Sequence, residues 1–177
     1  MTDFFYCKNF KIKHHTDVFK VNTDAVLLAS WIDYVSPQNI LEIGSGTGII
    51  SLCLADKYQD ISPSITAIDI DENAFLLSDE NFNMSSFQHL KALHFSLQYF
   101  VKINTTMYDM IVSNPPYHTE DYFSTKTQNI QSKYTESLSF ESLFLFIRLR
   151  RSSISLRAVS SSFWRTSICL LYFSSSV

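Results

Sequence analysis

The octapeptide Leu41-Glu42-Ile43-Gly44-Ser45-Gly46-Thr47-Gly48 contains all three glycines of a 177-residue chain. Average usage near 7% would supply roughly a dozen glycines. Glycine lets the backbone turn tightly and lets a ligand approach the backbone closely. The apolar run Asn39–Ile43 indicates a buried parallel strand before the turn, and Ile49 to Tyr58 indicates a helix after it. This strand–turn–helix unit decides the expected fold.

The same alternation of strands and helices continues along the chain. Strands are predicted at Ile65–Asp69, at Leu90–Phe95 and at Tyr108–Ser113, and a second helix at Glu72–Phe82. Strands that alternate with helices imply an α/β domain with a parallel sheet, whose ligands bind at the carboxyl ends of the strands. Residues 118–137 are polar and aperiodic, and we expect a mobile loop there.

Composition excludes several other classes of protein. A hydrophobic content of 46% with 15% aromatic residues argues against intrinsic disorder. The sequence contains neither a long apolar run nor a basic-then-apolar leader, so we expect no membrane span and no secretory signal. Cys7, Cys53 and Cys169 form neither a disulfide framework nor a zinc pattern, and His14-His15 lack suitable partner ligands. We therefore expect no metal site and a cytoplasmic protein.

The chain changes character near its C-terminus. Residues 1–141 carry 9 Lys and Arg against 17 Asp and Glu, a net charge of −8, whereas residues 142–177 carry 5 Arg and no acidic residue. This tail also contains eleven serines, no glycine and no clear period. It is either a nucleic-acid-binding arm or, as we favour, the product of a shifted reading frame. We assign residues 1–143 to an incomplete domain and residues 144–177 to an aberrant tail.

An acidic residue follows the second predicted strand. Asp69 lies 21 residues beyond Gly48, where a carboxylate can accept hydrogen bonds from both hydroxyls of a ribose. A dinucleotide fingerprint would place a glycine at position 49, which is occupied by Ile49. The pattern leaves three readings open: a methyl-donor site, a nicotinamide-dinucleotide site, and a tight turn without a ligand.

The tetrapeptide Asn114-Pro115-Pro116-Tyr117 ends the fourth predicted strand. On its own it is a proline-rich turn, but at this position it resembles the motif of methyltransferases that act on planar amino groups. The Asn114 side-chain oxygen and the Pro115 carbonyl can each accept one hydrogen of such an amine and stabilise the charge that develops on it. Two prolines stiffen the turn, and Tyr117 can stack on a base swung out of its helix.

The segment Phe19–Trp31 suits a helix capped by Asn22 or Thr23. Together with the glycine turn and Asn114–Tyr117, it resembles the bacterial class I methyltransferases that modify the N6 amine of adenine 37 in valine tRNA. The resemblance covers about residues 4–143. It implies S-adenosyl-L-methionine as methyl donor, tRNA as substrate, and a Rossmann-like parallel sheet that this chain truncates at its C-terminal strands. The sequence does not give the oligomeric state, and we favour a monomer.

The resemblance also implies a set of contacts with the cofactor. Asn22, Thr23 and Asp24 would border its methionine end, and Glu42 and Gly44 would lie near its amino group. Gly46 and Gly48 complete the cofactor turn, Asp69 would bind the ribose, and Ser96 would lie beside the adenine. Alternatives are a methyltransferase for a glutamine amide of a protein, which usually has a helical N-terminal domain, and an inactive cofactor-binding remnant.

The N-terminal stretch Phe4–His15 interleaves aromatic residues with lysines. Such a stretch can contact phosphates and stack on bases. The alternative, which we favour, is a pair of strands with Phe10 and Ile12 facing inward and the lysines in solvent. The acidic balance of residues 1–141 argues against broad nonspecific binding of nucleic acid.

Overall fold

The computed structural model describes residues 3–33, 35–114, 155–159 and 170–174. The described elements, in chain order, are β1 (Phe4–Tyr6), β2 (Lys11–Lys13), α1 (Thr23–Trp31), β3 (Asn39–Ile43), α2 (Ile49–Lys57), β4 (Ser64–Asp69), α3 (Glu72–Met84), β5 (Leu90–His94), α4 (Leu97–Ile103), β6 (Met110–Ser113), β7 (Ser155–Val159) and β8 (Leu170–Ser174).

Four parallel strands form the central sheet in the order β5-β4-β3-β6. Helix α2 connects β3 to β4, α3 connects β4 to β5, and α4 connects β5 to β6. The chain therefore enters the sheet at β3, adds β4 and β5 on one side of it, and returns to add β6 on the other side. The predicted α/β fold with a parallel sheet is confirmed.

The two faces of the sheet bury different helices. Ile40 of β3 packs in the core with apolar residues of α1 and α2, whereas Leu41 and Ile43 pack with Leu97 and Phe100 of α4. This division follows from the alternation of side chains along a strand. By the same alternation Glu42 faces the side of the sheet that α2 covers, so a carboxylate is buried beneath that helix.

Several predicted boundaries match the structure closely. β3 begins and ends as predicted, and α2 begins at Ile49, with Tyr58 as its C-terminal cap. α3 extends to Met84, two residues past its predicted end. β6 begins at Met110 rather than Tyr108. Helix α4 was not predicted, because its seven residues are too few to show a helical period.

The N-terminal stretch forms the predicted pair of strands. β1 and β2 are antiparallel, with Phe5 opposite Ile12. Ile12 is entirely buried in the core, and Phe10, just before β2, is half-buried with its ring edge against Phe87. The inward orientation of the two apolar residues is confirmed.

Two strands lie within the segment that we assigned to the aberrant tail. β7 and β8 pair antiparallel, with Ser155 opposite Ser174 and Val159 opposite Leu170, and β8 approaches β6. We found no period here, yet the run Leu170–Phe173 consists of apolar and aromatic residues that favour strands. The rest of the tail and the predicted loop at 118–137 lie outside the described residues, and both the domain boundary and the shifted frame stay predictions.

None of the described helices is long and apolar enough to cross a membrane; the longest of them, α3, has 13 residues. Within the same residues, no group of three His, Cys, Asp or Glu side chains is arranged to hold a metal ion.

Candidate active site

The glycine turn connects β3 to α2 at the carboxyl edge of the sheet. Gly44 N and Ser45 N donate to Ile68 O of the neighbouring strand at 2.8 and 3.1 Å, and Gly48 N donates to Ser45 O at 2.7 Å. All three glycines have positive φ, at +80°, +52° and +80°. Residues that have a Cβ atom rarely adopt such φ values, which explains why glycine occupies all three of these positions.

Two of these glycines have different surroundings. A Cβ atom on Gly48 would lie 2.6 Å from Phe82 Cε1, so α3 packs directly against the bare backbone at this position. A Cβ atom on Gly46 would meet nothing within 4 Å. Gly48 therefore serves internal packing, whereas the turn at Gly46 has open space beside it that a ligand can occupy.

Asp69 lies at the end of β4 beside the turn, as predicted. Its Oδ2 accepts from Gly46 N at 2.9 Å, its Oδ1 accepts from Asp71 N at 2.9 Å, and Ser45 Oγ lies 3.5 Å from Oδ2. The side chain is 2% exposed. Asp69 thus fixes the conformation of the turn.

Glu42 is buried beneath the first turn of α2. Its Oε2 accepts from Ser51 N at 3.1 Å and also from Ser51 Oγ. Burial raises the pKa of the Glu42 carboxyl to about 8; the bonds from Ser51 oppose this rise and the charge of Asp69 adds to it. The structure therefore shows Glu42 bonded to α2, while its predicted contact with a cofactor amino group stays a prediction.

Asn114 follows β6 at the same edge of the sheet. In the register of the sheet Ser113 lies opposite Ile43, and Ser113 Oγ donates to Ile43 O at 2.8 Å. Because the two strands are parallel, the residues that follow Ser113 and Ile43, which are Asn114 and Gly44, leave the sheet at the same edge. Asn114 is half-buried. Pro115, Pro116 and Tyr117 lie outside the described residues.

The register aligns the predicted site residues into one row. Ile43 lies opposite Ile68, so Gly44 is level with Asp69, which in turn lies opposite His94 of β5. Ser96 follows two residues after His94 and caps α4, its Oγ accepting from Tyr99 N at 3.2 Å. The sheet therefore brings Gly44, Asp69 and Asn114 to one edge, with Ser96 just beyond it.

The N-terminal candidates lie at the start of α1. Asn22 is the N-terminal cap, and its Oδ1 accepts from Ala25 N at 2.8 Å. Asn22 and Thr23 are exposed, Asp24 is half-buried, and α1 packs against α2. Of the two predicted caps, Asn22 and Thr23, Asn22 is confirmed. Contacts of these three residues with a cofactor stay predictions.

Sequence reasoning missed Asn81, which is entirely buried in α3. Its Nδ2 donates to Thr47 O of the glycine turn at 2.8 Å and to Lys13 O at 3.2 Å, and its Oδ1 accepts from Lys13 N at 2.8 Å. One amide thus joins the hairpin, α3 and the turn. Its partners are 34 and 68 residues away, so no local signal marks it.

Residues 9–139 match the family described as methyltransferase small domain. The chain belongs to this family. It is 38% identical over 141 residues to the tRNA1(Val) (adenine(37)-N6)-methyltransferase of Flavobacterium johnsoniae, a match that covers 78% of this chain and 59% of that protein. The protein of the same name from Vibrio vulnificus strain YJ016 is 37% identical over 145 residues, covering 81% of this chain and 59% of the relative. The chain thus spans about 59% of these curated relatives.

A solved structure of the same fold is the 16S rRNA methyltransferase of T. thermophilus in complex with AdoMet and guanosine. It superposes with a TM-score of 0.54 at 18% identity, covering 83% of this chain and 44% of that one. At this level of identity the likeness concerns the fold alone. It supports the assignment of the parallel sheet to the Rossmann-like fold.

Proposed function

We propose that this chain transfers a methyl group from S-adenosyl-L-methionine to the N6 amine of an adenine in tRNA. The observation that carries the proposal is the row formed by Gly44, Asp69 and Asn114 at the carboxyl edge of the sheet. The turn that would bind the nucleoside and the asparagine that would bind the amine thereby lie at the same edge of the sheet. By analogy with the relatives named above, the target is adenine 37 of valine tRNA.

The residues at the turn fit such a cofactor. The space beside Gly46 is free of atoms within 4 Å of a Cβ position, so an adenosyl group can approach the backbone there. Asp69 lies beside this turn at the end of β4, where its carboxylate would accept a hydrogen bond from a ribose hydroxyl. When bound, S-adenosyl-L-methionine supplies an electrophilic methyl group on a sulfonium.

The remaining proposed contacts surround the turn. Residues 22–24 at the start of α1 would border the methionine end, and Ser96 would lie beside the adenine. Glu42 is bonded to Ser51, and burial raises its pKa to about 8, so its carboxyl is largely protonated at neutral pH. It would then act near the amino group as a neutral hydrogen-bonding group rather than as a counter-ion.

Asn114 would hold the amine that receives the methyl group. The lone pair of an adenine amine is delocalised into the ring, so the nitrogen is a weak nucleophile. The Asn114 oxygen and the Pro115 carbonyl would each accept one N–H hydrogen, which orients the nitrogen and stabilises the positive charge that develops on it. Pro116 would stiffen this turn, and Tyr117 would stack on the flipped base. The proposed reaction requires no metal.

We propose that the protein acts as a monomer in the cytoplasm. Cys7 and Cys53, the cysteines among the described residues, are free thiols, which suits a reducing compartment. To test the function, the purified chain is incubated with tritiated S-adenosyl-L-methionine and either tRNA or a release-factor protein. We expect label in tRNA, recovered as N6-methyladenosine after digestion.

Two results would overturn the proposal. Label in the protein alone would assign the chain to glutamine methylation. No label in either substrate, together with no thermal stabilisation by S-adenosylhomocysteine, would identify a remnant. A ligand at 100 times its Kd should stabilise a folded protein by about 2.7 kcal/mol, so binding is readily detected.

A further inference from the structure

The outward face of the β1–β2 hairpin combines aromatic rings with lysines. Ile12 is entirely buried, so its neighbours Lys11 and Lys13 face away from the core, together with their strand partners Tyr6 and Phe4. The Phe4 and Tyr6 ring centroids are 6.3 Å apart, and Lys11 Nζ lies 4.8 Å from the Phe4 centroid. Tyr6 is 73% exposed.

A solvent face of an antiparallel pair is ordinarily polar. Phe4 is half-buried between Tyr6 and Lys11, whereas Tyr6 leaves most of its ring open to a ligand. Lys11 is exposed, and Lys8 is exposed in the turn between the strands. Lys13, by contrast, forms an ion pair with Glu80 at 2.5 Å. Lys8 and Lys11 are thus the lysines of the hairpin with charge to offer a ligand.

The hairpin is the basic part of an acidic domain. Residues 1–20 carry four lysines and two aspartates, whereas residues 21–141 carry five lysines and fifteen acidic residues. A polyanion is attracted by the first segment and repelled by the second. Charge complementarity therefore favours the first segment over residues 21–141, although Lys20 of this segment pairs with Asp3.

The hairpin is also held in a fixed position relative to the glycine turn. The buried amide of Asn81 binds both backbone polar groups of Lys13 and the carbonyl of Thr47. One side chain thus separates the end of β2 from the candidate cofactor turn. From Lys13 the hairpin runs away from the turn, and Asn9 Nδ2 donates to Asp56 Oδ1 in the last turn of α2 at 2.7 Å. Lys8 is therefore on the order of 10 Å from the glycine turn, roughly the length of α2, which an RNA stem–loop can span.

We infer that this face binds unpaired nucleotides of the RNA substrate. Tyr6 and Phe4 provide a stacking platform for bases, and Lys8 and Lys11 contact phosphates. The inference rests on the proposed function for the identity of the RNA. It adds a binding surface, outside the catalytic edge, that determines affinity for RNA without taking part in methyl transfer.

The test measures binding of a fluorescein-labelled anticodon stem–loop RNA to the full chain by anisotropy, at several salt concentrations. Tyr6→Ala should weaken binding about tenfold, because stacking on one aromatic ring contributes that order of affinity. Tyr6→Phe should restore binding. Lys8→Gln and Lys11→Gln should each reduce the slope of log K against log salt by about 0.7. The kcat at saturating RNA should stay unchanged.

Matched controls lie elsewhere on the surface. Trp31→Ala removes an aromatic ring that is 67% exposed on α1, and Lys102→Gln removes an exposed charge on α4. Neither should change RNA affinity beyond twofold. Thermal melting of each variant verifies that it is folded, which we expect because the substituted side chains are exposed.

The outcomes separate this inference from the proposed function. Wild-type affinity and salt slope in the Tyr6 and lysine variants of a chain that methylates tRNA would overturn the inference alone. Binding that depends on these residues, in a chain that transfers no methyl group, would overturn the function and retain the surface. Displacement of the RNA by poly-glutamate at an equal charge concentration would show a general anion site and would overturn the assignment to RNA.

Discussion

Helices α1 and α2 pack against each other, but their N-termini are stabilised in opposite ways. α1 uses the residue just before it, since Asn22 accepts from Ala25 N through its own side chain and remains exposed. α2 begins after Gly48, which has no side chain to offer, and Glu42 from the preceding strand accepts from Ser51 N instead. Glu42 is 1% exposed.

This difference explains how the turn can stay bare. Because α2 is capped from beneath by a strand residue, no capping side chain is needed on the turn itself. The space beside Gly46 remains open, and the packing against Phe82 leaves no room for a Cβ at Gly48. The start of α2 thus leaves open space beside the backbone at Gly46, whereas the start of α1 is stabilised by its own cap.

The largest effect on stability is expected from Gly48→Ala. The added Cβ would lie 2.6 Å from Phe82 Cε1 at a φ of +80°. Strain in the left-handed region and overpacking together should cost about 2–4 kcal/mol in the free energy of unfolding, measured by urea denaturation.

Gly46→Ala is the matched control for that measurement. Its Cβ meets nothing within 4 Å, so only the positive φ should cost stability, about 1–2 kcal/mol. The free energy of binding S-adenosylhomocysteine should be reduced by more than the free energy of unfolding. Equal destabilisation by the two substitutions would contradict the distinction between a packing glycine and a ligand-facing glycine.

Glu42→Gln should change how stability depends on pH. The pKa of Glu42 is about 8 in the folded protein against an ordinary value of 4.5, so between these values the folded state holds a proton that the unfolded state has lost. The contribution is present in full below pH 4.5, declines as pH rises and is lost above about 8.

The measurement compares unfolding free energies of wild type and Glu42→Gln from pH 5 to 8. The wild type should lose stability with a slope steeper by at most about 1.4 kcal/mol per pH unit, because glutamine has no proton to lose. Parallel curves for the two proteins would show that Glu42 is ionised in the folded state.

A smaller effect is expected at the start of α1. Asn22→Ala removes the bond to Ala25 N and should lower the free energy of unfolding by about 1 kcal/mol, as measured by thermal denaturation. Asn22→Ser retains a capping oxygen and should recover most of the loss. An unchanged free energy of unfolding in Asn22→Ala would contradict the claim that α1 is stabilised by its own cap.

Much of the fold was predictable because its signals are local. The apolar run Asn39–Ile43 and the glycines that follow it determined β3 and the start of α2. A cap at Asn22 or Thr23 was predicted because a cap bonds within its own first turn, and the structure selects Asn22. Helix α4 was missed because it has only seven residues, and Ser96, its cap, was interpreted only as a site residue.

The contacts that fix the site were not predictable in the same way. Ser51 follows Glu42 by nine residues, and Asn81 follows Lys13 by 68, so both bonds exist only once the sheet has formed. Asp69 was predicted as a ribose ligand from its spacing, but its bonds to Gly46 N and Asp71 N follow from the exact path of the turn. The spacing of a residue along the sequence can indicate a binding role, but it does not show which backbone groups the residue also bonds.

The central claim is tested most directly by methyl transfer in Asn114→Ala. We predict that this variant binds S-adenosylhomocysteine almost as tightly as wild type but transfers no tritiated methyl group to tRNA. Asn83→Ala, which removes an exposed asparagine on α3, should transfer at the wild-type rate. Full incorporation by Asn114→Ala would contradict the account.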